Sequence, residues 1–167
     1  MTGRTNPNLD DDLRSSVLSL VVFIIEGQRY GLRLQTVERV LPIVAVSFLP
    51  KAPAVVLGVV NFHGRIVPVL DARRRFGFPP REFRVSARLL VSRTDKRIVA
   101  LCADEVFGVQ ELPAASVFPP ETVLPGIDHV AGIAALADGL LFIHDLDAFL
   151  SLDEERQLAE GLEVRHA

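Results

Sequence analysis

Four histidines, one cysteine, the serines and the carboxylates are the residues of this chain able to do covalent, acid–base or metal chemistry. Their spacing assembles no reactive set. His63, His129, His144 and His166 show no metal-ligand spacing. His144 and Asp145 are neighbours, so in a strand they project to opposite faces and do not converge. Ser15, Ser16 and Ser151 lack the strand–turn–helix context of a nucleophile elbow. No glycine-rich loop precedes a helix to cradle phosphate. Cys102 lies in an apolar run with no basic neighbour, which predicts an inert buried thiol. The chain reads as non-catalytic, without metal or cofactor.

Composition narrows the remaining classes. The net charge is −3 and the pI near 5.8, whereas nucleic-acid binders carry a basic stripe. Arg73, Arg74 and Arg75 form the one dense basic cluster and read as a solvated loop or helix end. A small barrel could also stack single-stranded nucleic acid on aromatics. Here there is one Tyr and no Trp, and most of the ten Phe fall in apolar runs expected to be core. A single Cys allows no internal disulfide and fits a reducing cytoplasm. The first 16 residues are polar and acidic and read as a disordered tail, not a signal peptide. Val17–Ile25, the most apolar early run, is far shorter than the ~20 residues a bilayer requires, so no membrane insertion is expected.

With 167 residues, 49% of them hydrophobic, the chain can build one compact unit or two very small ones. Val17–Ile25 and Arg29–Leu34 read as strands around Glu26-Gly27-Gln28. Leu34, Val37 and Leu41 have helical spacing, which predicts a short helical turn over Gln35–Leu41 ended by Pro42. A further turn is expected at Ala54–Leu57. Gly58–Phe62 and Ile66–Leu70 are strands around His63-Gly64-Arg65. Pro68 cannot donate to a ladder and is expected at an edge or bulge. Gly77 and Pro79-Pro80 mark a boundary. Ala87–Arg93, Arg97–Ala103 and Val106–Glu111 follow as strands, then an irregular Pro113–Asp128. Val130–Ala137 and Leu140–Asp145 flank Asp138-Gly139, a turn signal associated with positive φ. A helical turn is expected at Leu146–Leu150. Ser151 and Glu154 fit a capping box ahead of a terminal helix to about Glu163, packed through Leu152, Leu158 and Leu162.

The two halves look like divergent copies. An offset of 74 residues carries Gly58 to Gly132 and Asp71 to Asp145. Tyr30-Gly31-Leu32 echoes Phe107-Gly108-Val109 at an offset of 77. Short strands with tight turns predict a mainly β fold of small barrels. Each half is too small for much core of its own, so the two are expected to pack together and leave a groove between them. The expected organisation is a tail at 1–16, barrel halves at about 17–80 and 81–150 with strand exchange possible, and a C-terminal helix and tail at 151–167.

From about Val17 to Gly161 the chain resembles the CheW adaptor family. The likeness is carried by an ordered set: VVFIIEGQRYGLRLQTVERVL, PKAPAVVLGVVNFHGRIVPVLDARRRFG, ALCADEVFGVQEL and HVAGIAALADGLLFIHDLDAFL, then an acidic helix. The central block has the spacing of the family's N-L-R-G-x-x-x-P-V-x-D-L signature. The resemblance implies two SH3-like five-stranded β-barrels about a pseudo-twofold, and no catalysis. It implies binding to the cytoplasmic tip of a chemoreceptor and to the regulatory domain of a CheA-type kinase, in the cytoplasm at membrane-associated receptor arrays. Self-association in rings with other CheW-like domains is a further possibility, and so is a kinase pathway outside swimming chemotaxis, such as surface motility.

Residue by residue, Val37 matches an apolar position at the receptor-binding groove, and Gly58, Asn61, Gly64, Pro68 and Asp71 match the signature. Two positions depart. His63 stands where the family usually has Arg, and Arg39 where it often has Glu, with Glu38 just before it. These residues, with Leu57, are the candidate receptor- or kinase-binding set. For Gly64 the backbone reading is a conformation other residues avoid. For Asp71 it is a cap on the following turn. Val37, Leu41 and Leu57 read as core or groove.

Overall fold

The computed structural model describes residues 16–120 and 129–166. The expected N-terminal tail, apart from Ser16, and residues 121–128 of the expected irregular connection lie outside them. Eleven strands are described: β1 (Val17–Ile25), β2 (Gln28–Arg33), β3 (Val37–Pro42), β4 (Val56–Phe62), β5 (Arg65–Leu70), β6 (Arg88–Arg93), β7 (Ile98–Ala103), β8 (Glu105–Pro113), β9 (Val117–Phe118), β10 (Val130–Leu136) and β11 (Gly139–His144). Helix α1 (Ala72–Arg75) follows β5, and α2 (Leu152–His166) is C-terminal. Single 3-10 turns cover Leu34–Thr36, Ala114–Ser116 and Leu146–Ala148.

Two sheets result, ordered β8-β1-β2-β11-β10-β9 and β3-β6-β7-β5-β4. The second is built from one continuous stretch, β3 to β7. The first is discontinuous, taking β1 and β2 from the start of the chain and β8 to β11 from its second half. It has six strands rather than the five expected, because the two-residue β9 pairs with β10.

The pairings expose how the repeat is used. An offset of 74 carries Val69 of β5 to Ile143 of β11. Val69 pairs with Ala100 in β7, and Ile143 pairs with Gly31 in β2, both in parallel. The counterpart of β2 is therefore β7. The echo of Tyr30-Gly31-Leu32 in Phe107-Gly108-Val109 does not correspond to an equivalence in space, because β8 pairs with β1 as β3 pairs with β6. The isolated bridge Ser47–Val59 likewise matches Phe118–Ile133. Each repeat thus contributes its first hairpin to the other repeat's sheet, and the division near residue 80 separates repeats in sequence but not barrels in space.

That exchange explains why β1 and β6 carry apolar residues on both faces. In β1, Leu20 and Val22 enter the core of the discontinuous barrel, while Val21, Phe23 and Ile25 enter a larger core between the barrels. In β6, Leu89 and Val91 fill the continuous barrel and Leu90 faces the shared core. Successive side chains alternate between faces, but here both faces are dry. The shared core draws apolar residues from strands of both sheets, so each barrel covers apolar surface of the other.

Several local expectations change. The helical spacing of Leu34, Val37 and Leu41 gives only a 3-10 turn at Leu34–Thr36; Val37 onward is β3, because pairing with β6 outweighs weak local periodicity. Pro68 is not on an outer strand: β5 lies between β7 and β4. The β5–β7 pairing starts only at Val69, so Pro68 meets β7 before the ladder begins. The β10–β11 turn is Ala137-Asp138, with positive φ at Gly139 and not at Asp138. The capping box forms as expected: Ser151 N–H donates to Glu154 at 2.9 Å and Glu154 N–H to Ser151 Oγ at 3.2 Å. Leu158 is fully buried and Leu162 half-buried, but Leu152 is exposed.

Candidate functional site

The free end of the continuous barrel is the β4–β5 hairpin. His63 and Gly64 take φ of +52° and +80°, the two-residue turn that matches strand twist. Asn61 Oδ1 accepts the Gly64 N–H at 2.9 Å, fixing the turn from within. The exposed His63 ring meets Phe62 edge-on with centroids 4.4 Å apart, and the Arg65 guanidinium lies 5.7 Å from the same ring.

A bulge brings a carboxylate to this end. The β3–β6 register shifts between Val37 and Arg39, so Glu38 and Arg39 together oppose one residue of β6. Arg93 donates to Glu38 at 2.6 Å and Arg65 to its other oxygen at 3.3 Å. The Arg93 hydrogen bond holds the Glu38 carboxyl below the usual range. Glu38 thereby ties the edge strand β3 to the hairpin and to the end of β6.

The second feature is the groove between the barrels, where edge strands β3 and β8 approach. One cavity of about 380 Å³ is lined by Val40, Arg88, Val106 and Phe107 among others. An adjoining one of about 310 Å³ shares Phe107 and Gly108 and adds Arg29 and Val109. Phe107 is 61% and Val109 58% exposed, beside β1, whose Leu20 to Phe23 are buried. Arg29 forks onto Asp138 at 2.6–2.8 Å and lies 5.8 Å from the Phe107 ring. By the pairings, Val109 opposes Val21 as Val40 opposes Leu90, so the groove has a matching apolar residue on each wall.

Of the nine candidate residues, Arg39, Asn61, His63 and Gly64 are exposed. Asp71 is half-buried and caps α1, accepting Arg74 N–H at 3.1 Å. Val37 is half-buried against the shared core, and Leu57 against the continuous barrel's core. Gly58 and Pro68 are buried. The groove residues Val40, Phe107 and Val109 were not among the candidates. Val106, Phe107 and Val109 of β8 carried no separate signal, because an apolar segment left open at a seam reads in sequence like one covered by a sheet. Most of the ten Phe are core as expected: Phe23, Phe62 and Phe149 are buried and Phe76, Phe78 and Phe142 pack against the shared core, whereas Phe48, Phe83, Phe107 and Phe118 are substantially exposed.

Other titratable groups are structural. Arg73 is not solvated but buried, pairing with Glu26 and, at 3.3 Å, with Asp104, and donating to the Pro79 carbonyl at 2.9 Å. Burial pushes the Cys102 thiol up to about 12, with Asp104 and Asp71 adding to the effect, so it holds no reactive thiolate. Among the described residues no three of His, Cys, Asp and Glu cluster to hold a metal, and no helix is long and apolar enough to cross a membrane.

Two small barrels with a shared core, a basic hairpin end and an apolar seam form a double-barrel docking module. The chain belongs to the CheW-like domain family, whose sequence model matches residues 19–154. It is 26% identical over 148 residues to chemotaxis protein CheW of Klebsiella aerogenes, covering 87% of this chain and 89% of that one. It is 28% identical over 140 residues to protein FrzA of Myxococcus xanthus, covering 82% and 86%. The crystal structure of the scaffolding protein TtCheW from Thermoanaerobacter tengcongensis superposes with a TM-score of 0.77 at 27% identity, over 83% of this chain and 96% of that one. The fold is accordingly the paired SH3-like barrel of this family.

Proposed function

We propose that this chain is a non-catalytic cytoplasmic adaptor that couples chemoreceptors to a CheA-type histidine kinase. The observation that carries the proposal is the exposed Phe107 and Val109 in the seam between the barrels. Contiguous exposed apolar surface marks a protein-binding site, and the flanking cavities give a receptor tip a groove to enter. The hairpin end, with Asn61, His63 and Gly64, is a separate surface available to the kinase's regulatory domain, itself a barrel of the same fold. Two surfaces on one rigid double barrel let one molecule hold both partners.

Phe107→Ala is expected to weaken binding of the receptor tip by about 2 kcal/mol, roughly thirtyfold, as for a buried aromatic anchor. Its melting temperature should stay near wild type. Titration calorimetry with a receptor cytoplasmic fragment measures this, and unchanged affinity would remove the groove from the proposal. His63→Asn, which keeps a residue tolerant of left-handed backbone, is expected to weaken kinase pull-down without lowering thermal stability. Undiminished capture would make His63 a bystander.

Similarity to FrzA supports a second reading, an adaptor serving a kinase pathway other than swimming chemotaxis. Pull-down with regulatory domains and receptor tips from both kinds of pathway discriminates the two.

A further inference from the structure

We infer that the end of the continuous barrel formed by the start of β3, the β4–β5 turn and the end of β6 is a positively charged docking face that selects an acidic surface on the kinase's regulatory domain. This rests on the kinase-docking reading above and adds the chemistry of the partner.

Three guanidiniums, Arg39, Arg65 and Arg93, gather at this end with one carboxylate, Glu38. The excess is positive on a chain whose net charge is −3. Both Glu38 oxygens are already engaged by Arg93 and Arg65. Arg39 is exposed and, among the described residues, its guanidinium makes no ion pair or hydrogen bond. The bulge sets it beside Glu38 without giving it a partner.

Arg33, Asp145 and Asp147 nearby add one positive and two negative charges, which lowers the excess of Arg39, Arg65 and Arg93 over Glu38 from two to one without cancelling it. Arg33 and Arg93 line one wall of a cavity of about 330 Å³ that also borders Asp145 and Asp147. One Asp147 oxygen accepts the Asp95 N–H at 2.8 Å, and the Arg33 carbonyl accepts the Thr36 hydroxyl at 2.7 Å while its guanidinium has no hydrogen bond among the described residues. A planar guanidinium matches a carboxylate bidentately and loses little hydration on burial. A partner loop bearing Asp or Glu satisfies Arg39 and gains from Arg65, whereas a basic partner surface is repelled. Complementarity of this kind raises association rate and rejects wrong partners more than it adds affinity.

The test is binding of the full chain to the regulatory domain of a CheA-type kinase from the same organism, followed by stopped-flow and calorimetry at several ionic strengths. Wild-type association should slow several-fold as salt rises. Arg39→Glu is expected to weaken binding by about tenfold or more and to flatten that salt dependence. Arg39→Lys, which keeps the charge but loses the fork, should lose about threefold. Melting curves confirm that both variants fold. Unchanged affinity and salt dependence for Arg39→Glu overturns the inference, and so does tighter binding, which would mean a basic partner. Loss of receptor binding with kinase binding intact also overturns it. If the wild-type chain fails to bind the regulatory domain at all while it binds the receptor tip, the kinase-docking reading itself falls, a result distinct from any change seen only in the variants.

Discussion

Gly58→Ala is expected to lower the melting temperature by about 10–15 °C, corresponding to roughly 4 kcal/mol for a domain of this size. Gly58 sits at a bulge in the β4–β5 pairing with φ of +153°. A Cβ there would lie 2.2 Å from the Ser47 carbonyl oxygen and 2.7 Å from a Val46 methyl. The Ser47 backbone cannot retreat cheaply, because it both donates to and accepts from Val59 at 2.9 and 2.8 Å. The methyl therefore adds backbone strain and either a clash or two lost hydrogen bonds. Gly64 is the control. Its φ is +80°, but nothing lies within 4 Å of the place a methyl would take, so Gly64→Ala should cost only about 1–2 kcal/mol of left-handed strain. Thermal denaturation of the two variants tests the comparison. Equal, small losses would show that the Ser47 segment yields easily and that Gly58 is not a packing requirement.

His144→Leu is expected to stabilise the protein, increasingly so as pH falls. His144 is buried between Phe76 and Phe149, and neither ring nitrogen has a hydrogen-bond partner among the described residues. Its repeat counterpart, at the offset of 74, is the fully buried Leu70. An unsatisfied buried polar group costs about 1–3 kcal/mol, and leucine removes that cost at neutral pH. Burial, helped by the nearby His129, lowers the imidazole from 6.5 to about 3. Below pH 6.5 the unfolded chain binds a proton that the folded chain refuses. Stability is therefore lost as pH falls from 6.5 toward 3, at about 1.4 kcal/mol per pH unit once well below 6.5. By pH 5 the loss is about 2 kcal/mol. The carboxylates with lowered values, Glu26, Glu38, Asp138 and Glu154, keep their contributions above the ordinary carboxylate range and lose them as pH falls through that range toward their lowered values. Urea midpoints at pH 7 and pH 5 separate the effects. A His144→Leu chain with the wild-type midpoint at both pH values would show that the imidazole is satisfied in solution.

The hairpin around His63-Gly64 and the capping box at Ser151 and Glu154 could be read from the chain because each depends on residues within four positions of one another. The family signature from Asn61 to Asp71 was legible for the same reason: a turn, a ladder proline and a helix cap follow one another locally. Glu38 and Arg73 could not be read that way. Glu38 looked like a displaced acid, and only the approach of Arg65 and Arg93 from two other strands gives it a role. Arg73 looked solvated, and only the turn at Glu26 and the residue after β7 bury it. The groove residues failed for a related reason, since exposure of Phe107 depends on which strand lies beside β8.

Local composition thus determined a mainly β chain of two similar parts, the places of most turns, and the kind of protein it belongs to. Tertiary structure alone decided which hairpin joins which barrel, so it also decided which apolar face becomes shared core and which becomes open seam. The physical reason is that strand pairing is set by backbone ladders that any apolar segment can make. The choice among them rests on the total surface hidden when both barrels close, a quantity that no single segment carries.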